Sequence, residues 1–396
     1  MISVDEAVLR ITRAFQPLSS ETIALEYALH RVLARDAKAS FDHPPAPMSA
    51  MDGYAVRTAD ARVGAELALI GEAPAGRPFA GRVGNNQAVR IFTGGVVPDG
   101  ADAVVIQEDA LARGSTVRIN EAPRVGENVR ERGLDFRAGN VLIERGRRIS
   151  ARDLALLAAA DLAQLEVTRK PRVAVVATGD ELTRPGEPRK PGGIVASSTY
   201  AIQAMVHDWG GDAVDIGIIP DRADAFVHLP ESLRGVDLII TLGGASVGDH
   251  DLIQSALAPH GFALDFWKIA MRPGKPLIFG RLDKTPLIGL PGNPVSAMVC
   301  AILFVAPAMA ALLGTTYKPP LRKARLAAPL KANGKRQDYI RARLSVSDGA
   351  LTAEPFALQD SSMQKVFAHA DALIIRLIDA PPAKAGDDVD VLVLTG

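Results

Sequence analysis

The run Leu238-Ile239-Ile240-Thr241-Leu242 has almost no polar relief, and it ends in Gly243-Gly244-Ala245-Ser246-Val247-Gly248-Asp249-His250-Asp251. A continuous apolar run closed by glycines suits a strand covered on both faces, and therefore a parallel sheet lying between helices. Glycines let backbone N–H groups close on an anion, and a helix starting just beyond turns its positive end to the same point. The loop lacks the lysine that follows the glycines of a nucleotide P-loop. Asp249 and Asp251 stand there instead, residue types that hold a divalent cation beside a phosphate. A tight turn before an Asp-capped helix accounts for the same letters with no ligand at all.

The pattern around this run repeats it. Strands are expected at 173–177, 214–219, 238–242 and 286–290, with helices at 200–209, 223–233 and 251–258. Such alternation builds a mostly parallel sheet with helices on both faces, whose ligands collect at the carboxyl ends of the strands. Upstream the texture differs. Ser3 with Glu6, and Ser150 with Asp153, have capping-box spacing, so helices should open there. Between them short apolar runs such as 88–92 and 103–106 alternate with Gly, Pro, Asn and Asp turns, the signature of a β-rich module set into a helical one. Past Lys318-Pro319-Pro320, runs at 339–346, 373–377 and 389–394 indicate a small all-β domain. The expected fold is thus multidomain α/β plus β, with a three-layer α/β centre. Its parts are a discontinuous helical domain (1–39 and 150–170), an inserted β-rich domain (40–149), the α/β domain (171–317) and a C-terminal β domain (318–396).

Composition narrows the function classes. The 45 basic and 45 acidic residues cancel, so no global field recruits nucleic acid or a membrane. The single cysteine, Cys300, excludes internal disulfides and fits a reducing, cytoplasmic setting. It lies in an apolar helical run at 297–313, where a packed thiol is expected. The N-terminus has no basic segment followed by an apolar core, so no signal peptide is read. Residues 295–313 approach membrane-spanning length, but Pro294 and Pro307 punctuate them and a buried helix is expected. The seven histidines show no zinc-ligand spacing.

Several strand ends in the α/β region carry unusual chemistry. The first runs into Thr178-Gly179-Asp180-Glu181-Leu182, and the fourth into Pro291-Gly292-Asn293-Pro294-Val295-Ser296. Asn293 and Pro294 suit the cap and first position of a helix. Glu181, Asp221, Asp249 and Asp251 all fall at carboxyl ends of strands in one sheet, a credible magnesium site beside substrate phosphates. Each alone could be a solvated carboxylate or, for Asp221, a helix cap. Lys268, Arg272 and Lys275 lie close together in a proline-broken loop that would suit an oxyanion, though a solvated basic turn reads the same. In the β-rich region Asp52 stands among apolar residues before Gly53, and Thr93 precedes Gly94-Gly95.

Six segments in order, 49–56 (SAMDGYAV), 92–108 (FTGGVVPDGADAVVIQE), 178–182 (TGDEL), 243–251 (GGASVGDHD), 272–276 (RPGKP) and 290–296 (LPGNPVS), closely resemble the MoeA family of molybdopterin molybdenumtransferases, related to the C-terminal part of gephyrin. The resemblance covers essentially the whole chain. It implies an enzyme of molybdenum-cofactor synthesis that takes adenylylated molybdopterin and molybdate, inserts molybdenum at the dithiolene sulfurs and releases AMP with Mg²⁺ present. It also implies a homodimer in which the α/β module of one subunit faces the inserted module of the other, and it admits contact with a molybdopterin adenylyltransferase.

Carried over by motif, Asp52, Thr93, Glu181, Lys268 and Lys275 are the expected catalytic residues. Gly243, Gly244, Ser246, Arg272, Pro291, Asn293, Pro294, Arg341 and Ser361 are expected to bind substrate, and Glu181, Asp221, Asp249 and Asp251 to hold the metal. The chain departs from the family at Ala245, at Arg272, at Ala196 and Ser198 where Asp-Ser-Asn is common, and at Leu134 and Asp161 where Glu and Gly are usual. These changes admit a diverged paralogue or a non-catalytic cofactor-binding scaffold of the gephyrin type. An adenylyltransferase would carry Gly-Gly-Thr-Gly in the opening loop and would leave the first 170 residues without a role. A pyridine-nucleotide hydrolase sharing the α/β module would not explain SAMDGYAV.

Overall fold

The computed structural model describes residues 1–222, 225, 229–243, 256–347 and 349–394. It divides into two compact units. One comprises Thr22–Leu29 and Arg35–Glu166, and the other Met1–Glu21, His30–Ala34 and Val167–Gly396.

The first unit is built on a six-stranded sheet of β1 (Gly53–Val56), β2 (Glu66–Ala73), β3 (Gln87–Ile91), β4 (Ala103–Ile106), β5 (Ala110–Arg113) and β6 (Thr116–Ile119), in the order β4-β1-β3-β2-β6-β5. Period-two alternation sends Tyr54 and Val56 into one core, with Leu67, Val105 and Val117. Ala55 goes to the other face, with Val89, Ile91 and Val104. β1 is consequently buried along its whole length, antiparallel to β3 on one side and β4 on the other. Helix Ala151–Ala159 opens with the capping box read from Ser150 and Asp153, the Asp153 carboxylate accepting from the Ser150 N–H at 2.8 Å. Asp161, where a glycine is usual, takes the left-handed conformation (φ 57°) that glycine adopts most cheaply.

The second unit carries the α/β sheet of β7 (Arg172–Thr178), β8 (Asp212–Ile219), β9 (Leu238–Leu242), β10 (Phe262–Lys268), β11 (Pro276–Leu282) and β12 (Thr285–Leu290), in the order β8-β7-β9-β12-β11-β10. The first four in that order are parallel; β11 is antiparallel to both its neighbours, β12 and β10, so β10 again runs with the first four. Helix Ser197–Asp208 covers one face. Of the other two helices expected here, Leu229–Ser232 is seen, while most of 251–258 lies outside the described residues.

The long helix Pro294–Leu313 crosses the core as two α-helical stretches joined by one π-helical turn, Ala301–Val305. A π turn just before Pro307 lets the helix continue past a residue with no N–H to donate, where the sequence predicted an interruption. The helix is long and apolar enough to cross a membrane, yet 78% of its most apolar window is buried inside the unit. The N-terminal helix Val4–Arg13 packs here too, Val4, Ala7 and Ile11 joining Phe304, Val305 and Met309. Only half of its expected capping box forms. Ser3 accepts from the Glu6 N–H, but the Glu6 carboxylate turns to Arg10 at 2.7 Å. Cys300 is fully buried, and burial pushes its thiol up, away from any nucleophilic role.

Beyond residue 320 the chain forms β13 (Leu321–Leu326), β14 (Gln337–Ser347), β15 (Ala350–Pro355), β16 (Ala372–Arg376) and β17 (Asp388–Val393). Pairing runs β14-β15-β13-β17-β16 and returns from β16 to β14, so the sheet closes on itself. Met271–Arg272, from the turn between β10 and β11, adds to β14 as a short parallel strand.

Phe304 has no exposed surface at the centre of the second unit. Phe304→Ala is expected to cost about 3–5 kcal/mol. Both tryptophans, Trp209 and Trp267, lie in that unit, so the denaturant midpoint followed by tryptophan fluorescence should fall.

Candidate functional site

β8 follows β7 in the chain and lies on one side of it, while β9 lies on the other. The chain leaves β7 toward β8, away from β9, and this change of side puts a crevice at the carboxyl ends of β7 and β9. A cavity of ≈ 590 Å³ occupies that place, with Thr178 and Glu181 after β7, Asp221 after β8, Gly243 after β9, and Asn293 and Pro294 after β12. Gly243 has φ 96°, and a Cβ there would stand 2.7 Å from the Thr178 carbonyl oxygen, so the turn requires glycine. Asn293 occupies the helix cap position, yet its side chain makes no capping bond and lines the cavity instead. The floor includes Ala196, Ser197, Ser198 and Thr199 at the start of helix Ser197–Asp208.

The hydroxyls are the informative part. Thr178 and Thr199 are only 4% and 7% exposed, and their Oγ1 atoms have no hydrogen-bond partner. Leaving a buried polar group unpaired costs about 1–3 kcal/mol, and here two such groups line the same cavity. Sequence reasoning missed them. The signal available was a threonine directly ending a buried strand and a Ser-Ser-Thr run opening a helix.

Carboxylates stand beside them. Burial, and then the charges of Glu181 and Asp180, push the Asp221 carboxyl above its usual range. Glu181 and Asp221, two of the four expected metal ligands, are thus near neighbours. The other two, Asp249 and Asp251, lie outside the described residues, as do Gly244 and Ser246. Among the described residues no group of three or more His, Cys, Asp or Glu side chains is close enough to hold a metal.

A second cavity, of ≈ 250 Å³, lies where the β10–β11 turn meets the C-terminal domain, between Arg272, Pro273, Arg341 and Gln359. Arg272 grips Asp338 through both Nε and Nη2. Arg341 is 1% exposed and meets only neutral acceptors, Gln359 Oε1 at 2.9 Å and the Asp360 carbonyl at 2.7 Å. Burial lowers its guanidinium below the ordinary value, against the pull of Asp360. Ser361 sits on the same loop, and its carbonyl accepts from the Val295 N–H at 3.1 Å, joining this loop to the helix start beside the larger cavity. Pro291 leads into that start.

The three cations that crowd the sequence at 268–275 do not converge. Arg272 reaches the smaller cavity, but Lys268 folds over its neighbour Trp267, Nζ 3.6 Å from the ring centroid, and neither it nor Lys275 lines either cavity. The cause is the hairpin, whose successive residues face different ways.

In the first unit Asp52 and Thr93 meet directly. Asp52 Oδ1 accepts from the Thr93 N–H at 2.7 Å and from its hydroxyl at 2.8 Å. The Thr93 N–H, then its hydroxyl, and more weakly the charge of Arg90 hold the Asp52 carboxyl below its usual range, so it is ionised at neutral pH.

Residues 2–160 match the family described as MoeA N-terminal region (domain I and II), 174–311 a probable molybdopterin binding domain, and 323–394 the MoeA C-terminal region (domain IV). A protein named molybdopterin molybdenumtransferase from Haemophilus influenzae is 33% identical over 99% of this chain and 98% of its own length. One of the same name from Bacillus subtilis is 34% identical over 99% and 94%. A crystal structure of a molybdopterin biosynthesis MoeA protein from Pyrococcus horikoshii superposes with a TM-score of 0.86 at 26% identity, over 99% of this chain and 100% of that one.

The Asp221 environment predicts a pH dependence. A carboxyl whose folded pKa is raised binds its proton more tightly in the native state, so native stability falls as pH climbs from about the ordinary 3.8 through the raised value. Asp221→Asn removes that loss. The variant should be more stable than the parent at pH 7 without divalent cation, and the gain should vanish at low pH. Thermal melts across that range measure it.

Proposed function

The chain belongs to the MoeA family of molybdopterin molybdenumtransferases, and on that premise we propose that it takes adenylylated molybdopterin and molybdate, places molybdenum on the dithiolene sulfurs and releases AMP with the help of Mg²⁺. As a family member it is a transferase of molybdenum-cofactor biosynthesis. The observation that carries the finer reading is the strand-end cavity in which orphaned hydroxyls stand beside clustered carboxylates. Its size suits a small organic ligand rather than a bare ion. Thr178 and Thr199 can each donate and accept, which matches the alternating donors and acceptors of a pterin edge. The smaller cavity suits a compact oxyanion. A buried arginine facing only neutral acceptors gains most from an anion, whereas Arg272 beside it is already paired with Asp338.

Glu181 and Asp221 share the larger cavity, and the charges of Glu181 and Asp180 act against the Asp221 carboxylate, a cost that a hard divalent cation would relieve. Glu181 and Asp221 would hold Mg²⁺, joined by Asp249 and Asp251, which follow β9 in the sequence. Bound there, the ion would supply charge neutralisation for the pyrophosphate and the departing AMP. Asp52 keeps one oxygen engaged by Thr93 and offers the other to a water or a molybdate oxygen. Holding that oxygen in line is a proximity contribution and needs no covalent nucleophile on the protein.

The direct test is turnover of adenylylated molybdopterin with molybdate and Mg²⁺, following AMP. Release of AMP coupled to metal insertion is expected, falling about 100-fold or more in Asp52→Asn. Tight pterin binding without AMP release would instead identify a cofactor-binding scaffold. For the metal, Mg²⁺ should raise the melting temperature of the parent and do so far less for Asp221→Asn. If the working site is shared across a homodimer, subunits carrying Asp52→Asn mixed with subunits carrying Glu181→Gln should regain one working site per dimer. Persistent inactivity after proven subunit exchange would eliminate the shared arrangement.

A further inference from the structure

Arg90 lies in β3 directly opposite Tyr54 of β1. Its guanidinium carbon is 5.0 Å from the ring centroid of Tyr54 and 5.0 Å from that of Phe92, the residue before Thr93. Nη1 donates to the Gly53 carbonyl at 3.1 Å, and Nη2 to Gln107 Oε1 at 2.7 Å. Gln107 in turn donates its backbone N–H to the Asp52 carbonyl at 3.0 Å. One side chain therefore ties together the peptide after Asp52, the residue before Thr93 and the residue that grips the Asp52 backbone. The ring of contacts has no slack on its far side, since a Cβ on Gly53 would stand 1.9 Å from the Val105 carbonyl oxygen.

We propose that Arg90 is a positioning residue for Asp52: its bridge from the Gly53 carbonyl to Gln107, clamped between Tyr54 and Phe92, fixes the direction of the carboxylate oxygen that Thr93 leaves free. This rests on the reading of Asp52 as the group that orients the attacking oxygen. Thr93 alone holds a single oxygen and leaves the carboxylate free to swing about it. Fixing the backbone at Gly53 and the ring at Phe92 removes that freedom from both ends. The positive charge nearby also favours the ionised carboxylate. Glu108 also stands beside the bridge, its Oε1 accepting from Gln107 Nε2 at 3.4 Å. A planar fork is needed to reach two acceptors while lying near both rings, and lysine has no such fork.

A purely structural arginine would stabilise this unit through its two ring contacts, worth roughly 0.5–1 kcal/mol each, and would leave turnover per folded molecule unchanged. The test uses Arg90→Lys, Arg90→Met, Asp52→Asn and the double variant Asp52→Asn/Arg90→Met in the full chain, with AMP release as the readout. Both single Arg90 variants should lose about 10- to 100-fold in kcat, with KM for the adenylylated pterin changed less than about threefold. Should Arg90→Met fold poorly, Arg90→Lys carries the test, because it retains charge and length. The double variant should be no slower than Asp52→Asn. Unchanged kcat in the folded Arg90 variants overturns the proposal, as does a double variant slower than Asp52→Asn by the full single-variant factor. Full activity in Asp52→Asn alone would overturn the underlying reading of Asp52.

Discussion

The parallel pairing of β7 with β9, Val173 opposite Leu238 through Ala177 opposite Leu242, is the constraint on which the candidate site depends. These strands are not neighbours in the chain, and they meet only because β8 leaves to the far side of β7. Their side chains are buried on both faces, the long helix Pro294–Leu313 and the N-terminal helix filling one of them. Burial of that extent fixes the register, since a slip of one residue would exchange the two faces. Once register is fixed, Thr178, Gly243 and Leu290 end at one edge, where Thr178, Gly243, Asn293 and Pro294 line the crevice.

What was legible follows from that physics. Continuous apolar runs announced β7, β9 and β12 within a residue or two, because strands buried on both faces leave no alternation to misread. β10 and β11 were not foreseen. The proline-broken loop read at 267–276 is essentially the turn between them, and no strand was read on either side of it. The spacing of Lys268, Arg272 and Lys275 suggested a shared anion, but adjacency in a hairpin says nothing about a shared direction. Arg341 carried the weakest sequence signal and proved the most deeply buried arginine among the described residues, because burial depends on closure of the C-terminal sheet, a long-range event with no local signature. The hydroxyls of Thr178 and Thr199 were invisible for a related reason. A threonine in a strand or helix is ordinary until its surroundings withhold a partner.

The chain is electrically neutral as a whole, yet these two cavities of the second unit differ in charge. Glu181 and Asp221 line the larger one, while the smaller has Arg341 and the Arg272–Asp338 ion pair. The link between them is short, running from Val295 to the Ser361 carbonyl and on through the adjacent Asp360 carbonyl to Arg341. The start of the long helix thus lines the larger cavity and is tied by these bonds to the residues of the smaller one.

Such an arrangement has an energetic cost that packing must offset. Arg341 is buried without a carboxylate in contact, Asp221 is held against two like charges, and two threonine hydroxyls lack partners. Each defect would be relieved by replacing the group with an apolar residue of similar shape, and none is needed to close the sheet or the helices around it. A fold that tolerates them in one stretch of its surface, and surrounds them with strands buried on both faces, has its instability concentrated where a ligand would bind. The ligand then supplies the missing partners, so binding free energy and native stability should be drawn from the same few atoms.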